Sequence, residues 1–384
     1  MVNHPVFAMA FRPLYLLAAL YGALSILLWG FGWQGTPDLA GYFWHAHEMI
    51  WGYAGAIVVA FLLTAVATWT QQPPTRGTPL VTLVGLWLAA RFFAFIPHTA
   101  WLSGLAGTAF FIFAAYLMGQ SVFKSRNSRN YIAVAALLLF GITHAAFHVY
   151  LLAGNGSVPL GSLLSGLLMI STFIGLIGTR IISFFTSRKL GTAQVASPNW
   201  LVNATQLLPL ISALLLLLPI PPVIPSLLMI AAGLIGCVQT TRWFEKGVLS
   251  EPMLWILFAG YGMNAVGLVI MGLSHWSPLL LSLGTHIIAV GGIGLLTLGM
   301  MVRTALGHTG RPLYPAPKPM TLTFILMLLA TLFRSAAALL LPISSVAYTH
   351  SLRCAAIFFA AALLLYFWRY LPWLTTPRTD GKPG

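Results

Sequence analysis

An all-α, polytopic membrane protein is predicted from three features of this 384-residue sequence. It is 59% hydrophobic and 6% charged, whereas a soluble domain carries about 25% charged residues, so it has too few charges to cover a water-facing surface. Its apolar residues fall in repeated runs of about 20, the length at which a helix crosses a bilayer core. Pro and Gly separate the runs, and no soluble domain fits between them. One transmembrane helical domain over residues 1–384 with about twelve spans is therefore expected.

The spans are predicted at 13–32, 43–69, 79–97, 100–122, 131–152, 162–185, 201–218, 222–243, 252–273, 277–303, 320–341 and 345–371. The first follows a single Arg and lacks a small-residue cleavage site behind it, so it reads as a retained span, not a removed signal peptide. The connections "PIPP" (219–222) and "SHWSP" (274–278) are short, which makes their flanking helices antiparallel hairpins. No repeat is visible between 1–190 and 191–384. Cys237 and Cys354 both lie in apolar runs, with no CxxC or CxxCH, so no disulfide framework is predicted and any haem is held non-covalently.

Cations set the orientation. Of 19 Lys and Arg, all but Arg91, Arg334 and Arg353 lie at the termini, in the even-numbered connections or at the adjoining span ends. The odd-numbered connections hold none. The positive-inside rule then places both termini in the cytoplasm. The net charge of +14 has the same origin, and no nucleic-acid motif accompanies it. Arg91, Arg334 and Arg353 lie inside spans, where burying a charge costs about 2.5–3.5 kcal/mol on insertion scales, so each is expected to have a partner.

With this orientation eight of ten histidines, Glu48 and the three in-span arginines share the outer half of the membrane. The stretch "WHAHE" puts His45, His47 and Glu48 at the outer mouth of the second span. His144 and His148, four apart, project from one helical face and suit a shared metal or a haem. His45 and Glu48, three apart, also share a face, while His45 and His47 diverge, so one of the two is expected to point inward as a ligand. Glu48 is a candidate acceptor for the second ring nitrogen of a ligand histidine, or a proton carrier. His286 and His350 complete the candidate metal ligands; His98 and His275 fit the membrane interface. Imidazoles with few carboxylates and no thiolate suit haem iron, copper or zinc. Arginines at the same depth suit an anionic cofactor group. Glycines 284, 291, 292 and 294 would let either a flat macrocycle or another helix approach closely.

The segments "HPVFAMAFRPLYLLAALYGAL" (4–24), "WHAHEM" (44–49), "GTRIISFFT" (178–186) and "THIIAVGGIGLLTLGMMVRTALGHTGRPL" (285–313) closely resemble the NnrS family of bacterial membrane proteins, in order and across nearly all the spans. One departure is Ser183, where a Pro is expected. The resemblance implies an inner-membrane protein carrying haem b and copper and linked to nitric oxide metabolism and nitrosative stress. It carries ligand roles over to His45, His47 and His286, with Glu48 beside them; His144, His148 and His350 rest on depth alone, and Arg91, Arg334 and Arg353 are assigned to the cofactor as anion partners. The Gly-rich "LGHTGR" lies on the cytoplasmic side and reads as a structural or regulatory hinge, not a phosphate loop. The span count also resembles haem-copper oxidases and nitric oxide reductases, although no adjacent His-His pair exists here. The expected partners are the lipid bilayer, nitric oxide or another diatomic, and an unidentified electron donor. Whether the site turns over its ligand as an oxidoreductase or only stores or senses is left open by the residues. The competing reading is a transporter of copper, haem or a small solute.

Overall fold

A computed structural model describes residues 4–154 and 158–381. Among them, regular structure is helical apart from one isolated bridge between Gly35 and Ala40. In apolar surroundings each backbone N–H and C=O must find a partner within its own segment, and the helix provides it. The main helices are α1 (Phe11–Gly30), α2 (Tyr42–Thr70), α3 (Thr78–Phe93), α4 (Ala100–Lys124), α5 (Tyr131–Leu152), α6 (Val158–Leu190), α7 (Asn199–Leu215), α8 (Val223–Trp243), α9 (Pro252–Leu273), α10 (Leu279–His308), α11 (Lys318–Leu340) and α12 (Ser345–Leu374). Ten are long and apolar enough to cross a membrane, as a multi-pass protein requires. The other two, α3 and α7, have 16 and 17 residues. At 1.5 Å per residue they measure about 25 Å, short of a roughly 30 Å core.

Local chemistry explains several boundaries. Pro stands in the first turn of α3, α9 and α11, where its missing N–H is no loss. The expected span 79–97 stops at Phe93, ahead of Pro97, so Arg91 lies in the last turn of α3 and nearer its end than the sequence suggested. Ser183, at the position where Pro is expected, continues α6 unbroken and donates a hydrogen bond to Val195 O (2.8 Å).

Two helices change pitch midway. Residues Glu48–Ala54 of α2 and Ile287–Gly294 of α10 are π-helical. A π-turn adds a residue to the local winding and re-aims the side chains on either side of it. Each π segment begins immediately after a histidine, His47 and His286 respectively.

The chain gathers into two compact units: a first comprising Met1–Gly166, Met301–Pro315 and Leu363–Gly384, and a second comprising Leu167–Met300 and Ala316–Ala362. In the first unit the fully buried Arg12 donates through Nη1 to Leu374 O (3.2 Å) and Thr376 O (2.8 Å), satisfying carbonyls at the C-terminal end of α12 where a cation is favoured. The "LGHTGR" segment ends α10 with a Schellman turn: Gly310 takes φ +77° and Arg311 N bonds Leu306 O at 3.0 Å. Thr379 then bonds Thr309 O through both its N–H (3.3 Å) and its hydroxyl (3.2 Å). Arg12→Leu is expected to cost about 3 kcal/mol, the order of one hydrogen bond from a charged donor plus the stranded carbonyls. The check is a lower thermal midpoint in detergent, with faster proteolysis after Leu374.

Candidate metal centre

The centre lies wholly in the first unit and is assembled from five helices. His47 ends the α-helical start of α2, and His144 and His148 lie one turn apart on α5. Two of them are fully buried and the third is 4% exposed. Their Nε2 atoms converge: His47 Nε2 is 3.1 Å from His144 Nε2 and 3.0 Å from His148 Nε2. Among the described residues this is the group of three potential metal ligands that come within 4.8 Å of one another.

Hydrogen bonding fixes which nitrogens face inward. Glu48 Oε1 lies 2.5 Å from His47 Nδ1. A carboxylate can only accept there, so Nδ1 carries the proton and Nε2 of the neutral ring presents its lone pair. His144 Nδ1 is held by Thr108 Oγ1 at 2.9 Å. His148 Nδ1 is buried with no hydrogen-bond partner. One in-plane lone pair on His47 cannot serve both facing Nε2 atoms as a hydrogen-bond acceptor, whereas a cation at their centre serves all three. At a metal–imidazole distance of about 2.0–2.1 Å, tetrahedral ligand atoms lie roughly 3.3 Å apart. The two spacings from His47 are within a few tenths of an ångström of that.

A second ring orients the first. Glu48, fully buried, also accepts from Tyr21 Oη on α1 and forms an ion pair with Arg91 Nε on α3 (3.1 Å). Arg91 is placed by two interhelical bonds: Trp87 Nε1 donates to Gly52 O in the π segment (2.9 Å), and Ser103 Oγ of α4 donates to Ala90 O (2.9 Å). The imidazoles fit because α4 gives way to them. A Cβ on Gly104 would lie 2.6 Å from His148 Cγ, and one on Gly107 would lie 2.6 Å from His144 Cε1. Phe147 stacks on His47 with ring centres 5.4 Å apart, and Trp51 meets His144 edge-on at 5.3 Å. Gly166, the residue whose Cβ would strike the Trp51 ring at 2.5 Å, seats that indole against α6.

Three buried imidazoles against an aromatic wall make a set suited to a borderline transition metal such as copper or zinc and poorly suited to calcium or magnesium. A family model described as NnrS protein matches residues 5–378. The chain belongs to the NnrS family. No curated protein sequence matches it. In this NnrS protein the "WHAHEM" segment supplies both a converging imidazole, His47, and the carboxylate that holds it, Glu48.

The other candidate residues sit elsewhere. His45 stacks on Trp29 with ring centres 4.9 Å apart and planes at 8°. His286 belongs to the second unit: its Nδ1 donates to Ser282 O (2.8 Å), and its Nε2 accepts from Arg334 Nη2 (3.0 Å). His350 and Arg353 are exposed on α12. The exposed His98 pairs with Asp38 at 3.3 Å. Sequence reasoning missed Tyr21, Trp51, Thr108 and the two glycines of α4. Only the three-residue spacing of Gly104 and Gly107 offered a signal.

The glycines of α10 do not cradle the implied haem. Cβ atoms there would lie 2.7 Å from Met271 Cα at Gly284, 2.6 Å from Met263 Sδ at Gly291, 2.9 Å from Asn264 Cβ at Gly292 and 2.9 Å from Met327 Sδ at Gly294. These glycines bring helices together, and the lone pair of His286 is taken by Arg334.

Proposed function

We propose that this protein is a membrane copper protein of nitric oxide metabolism, whose first unit binds one copper ion on His47, His144 and His148 and offers its open position to nitric oxide. The observation that carries the reading is the convergence of three buried imidazoles, with His47 Nε2 at 3.0–3.1 Å from the Nε2 atoms of His148 and His144 and with two of the three rings held by a partner at the opposite nitrogen. Membership of the NnrS family supports the nitric oxide assignment. Copper held by these three histidines would supply binding of a diatomic and one-electron exchange.

The residues do the rest. Glu48 and Thr108 hold two imidazoles with Nε2 aimed inward, so little reorganisation accompanies loading. The ion pair with Arg91 balances the Glu48 charge inside the unit, and the Tyr21 hydroxyl keeps a proton at Oε2 of the same carboxylate. Trp51 and Phe147 exclude water from the imidazole faces, which favours a small apolar gas over hydrated anions as the incoming group. Cation placement supports an inner-membrane location with the centre toward the outer side.

The test is anaerobic copper loading of purified protein, followed by infrared and electron paramagnetic resonance spectra with nitric oxide. A copper-dependent nitrosyl signal is expected, and Glu48→Gln should weaken copper affinity about 10–100-fold. Stoichiometric copper with no spectral response to the gas would leave a metal store and sink the nitric oxide assignment.

A further inference from the structure

The two π-helical segments repeat each other. His47 is followed by glycine five and eight residues on, at Gly52 and Gly55; His286 is followed by glycine at the same intervals, at Gly291 and Gly294. In both cases the next helix in the chain carries an arginine that reaches back toward the start of the π segment: Arg91 on α3 and Arg334 on α11. The copies differ in the residue after the histidine. It is Glu48 in the first unit and Ile287 in the second.

That difference leaves a charge unbalanced. Glu48 faces Arg91 at 3.1 Å, but among the described residues no carboxylate pairs with Arg334. Its Nη2 donates to His286 Nε2 (3.0 Å) and Ser282 Oγ (3.3 Å), while its Nη1 is buried without a hydrogen-bond partner. The second unit's acids, Glu245 and Glu251, stand before α9, and Glu251 is paired with Lys189 at 3.2 Å. Gly284 packs against Met271, near the other end of that helix, some 20 residues or about 30 Å away along its axis. A guanidinium held in apolar surroundings needs an anion or carbonyl oxygens to take up its donors, as Arg12 has in Leu374 and Thr376, and its planar fork matches a carboxylate or small oxyanion.

We propose that Arg334, His286 and Ser282 form an anion site of the second unit, in which a carboxylate or small oxyanion takes the place that Glu48 fills beside Arg91. The Nη1 edge of Arg334 receives the anion, and the Ser282 hydroxyl is free to rotate toward it. The anion comes either from solution or from the carboxylate of a tightly bound organic molecule. The site is independent of the copper reading and of its metal.

The experiment uses full-length protein in detergent, titrated separately with sodium nitrite and sodium acetate while the thermal unfolding midpoint is read. A saturable rise in the wild type that Arg334→Gln abolishes, and that Arg334→Lys shifts to about tenfold higher concentration, identifies an anion from solution. A wild type that ignores both salts, yet shows in native mass spectra a carboxylate-bearing molecule lost from Arg334→Gln, identifies the bound source. Ile287→Glu supplies the first unit's carboxylate internally, so it should unfold no lower than the wild type and show neither response nor bound molecule. A wild type with neither, or Ile287→Glu behaving as the wild type does, overturns the site.

Discussion

Replacing His144 with alanine is expected to abolish stoichiometric copper binding, with an affinity loss exceeding the roughly 10–100-fold typical of a residue that only supports a ligand. His144 is fully buried between Thr108, which holds its Nδ1 at 2.9 Å, and the edge of Trp51. Alanine removes one of the three proposed ligand atoms, leaves the Thr108 hydroxyl without its ring partner and opens space beside two aromatics. His45→Ala is the informative control. That ring stacks on Trp29, so the variant should retain copper at wild-type stoichiometry. Metal analysis after equilibrium dialysis reads both. Copper lost from His45→Ala and kept by His144→Ala would move the ligand set to the other histidine of "WHAH".

Gly107→Ala should damage the centre almost as badly without touching a ligand. The added Cβ would stand 2.6 Å from His144 Cε1 and 2.7 Å from its Nε2, and it is fixed to the α4 backbone, so the imidazole must move. Forcing one extra carbon into a packed site costs about 1–3 kcal/mol. Displacing Nε2 from its convergent position adds a loss of copper affinity that we expect to reach at least about tenfold. Gly85→Ala in α3 provides the contrast: a Cβ there meets nothing within 4 Å, so removing backbone freedom should stabilise by roughly 0.5–1 kcal/mol. Thermal midpoints and copper titrations of the two variants test this. Equal copper affinity in Gly107→Ala and the wild type would mean that the triad is not the metal site.

The helices were legible because hydropathy in a membrane protein is a one-dimensional signal, and every predicted run corresponds to an apolar helix among the described residues. The early stop of α3 at Phe93 was less so, since residues 95–97 continue the apolar run and only the proline argues against it. His144 and His148 were paired by their spacing alone. Their meeting with His47 depends on how α2 lies against α5, which no periodicity records. The choice between His45 and His47 turned on the π segment. Ordinary helical winding sets His47 and Glu48 about 100° apart, yet their side chains meet at 2.5 Å where the pitch changes. Tyr21 gave no signal at all, because one tyrosine in a hydrophobic helix looks like packing until the carboxylate it meets is known. Depth was a blunt guide elsewhere: it gathered His350 and Arg353 with the others, and the structure leaves both exposed.

The clasp of Arg12 on Leu374 and Thr376 has a consequence in time. Arg12 is synthesised long before its two acceptors. The whole of the second unit is translated between them. Chains generally fold from the N-terminal end as they are made, but the unit that carries the three histidines must wait, unfinished along one side, until α12 has been threaded into place. A chain truncated before Leu374 has all three imidazoles and lacks the latch that completes the unit around them.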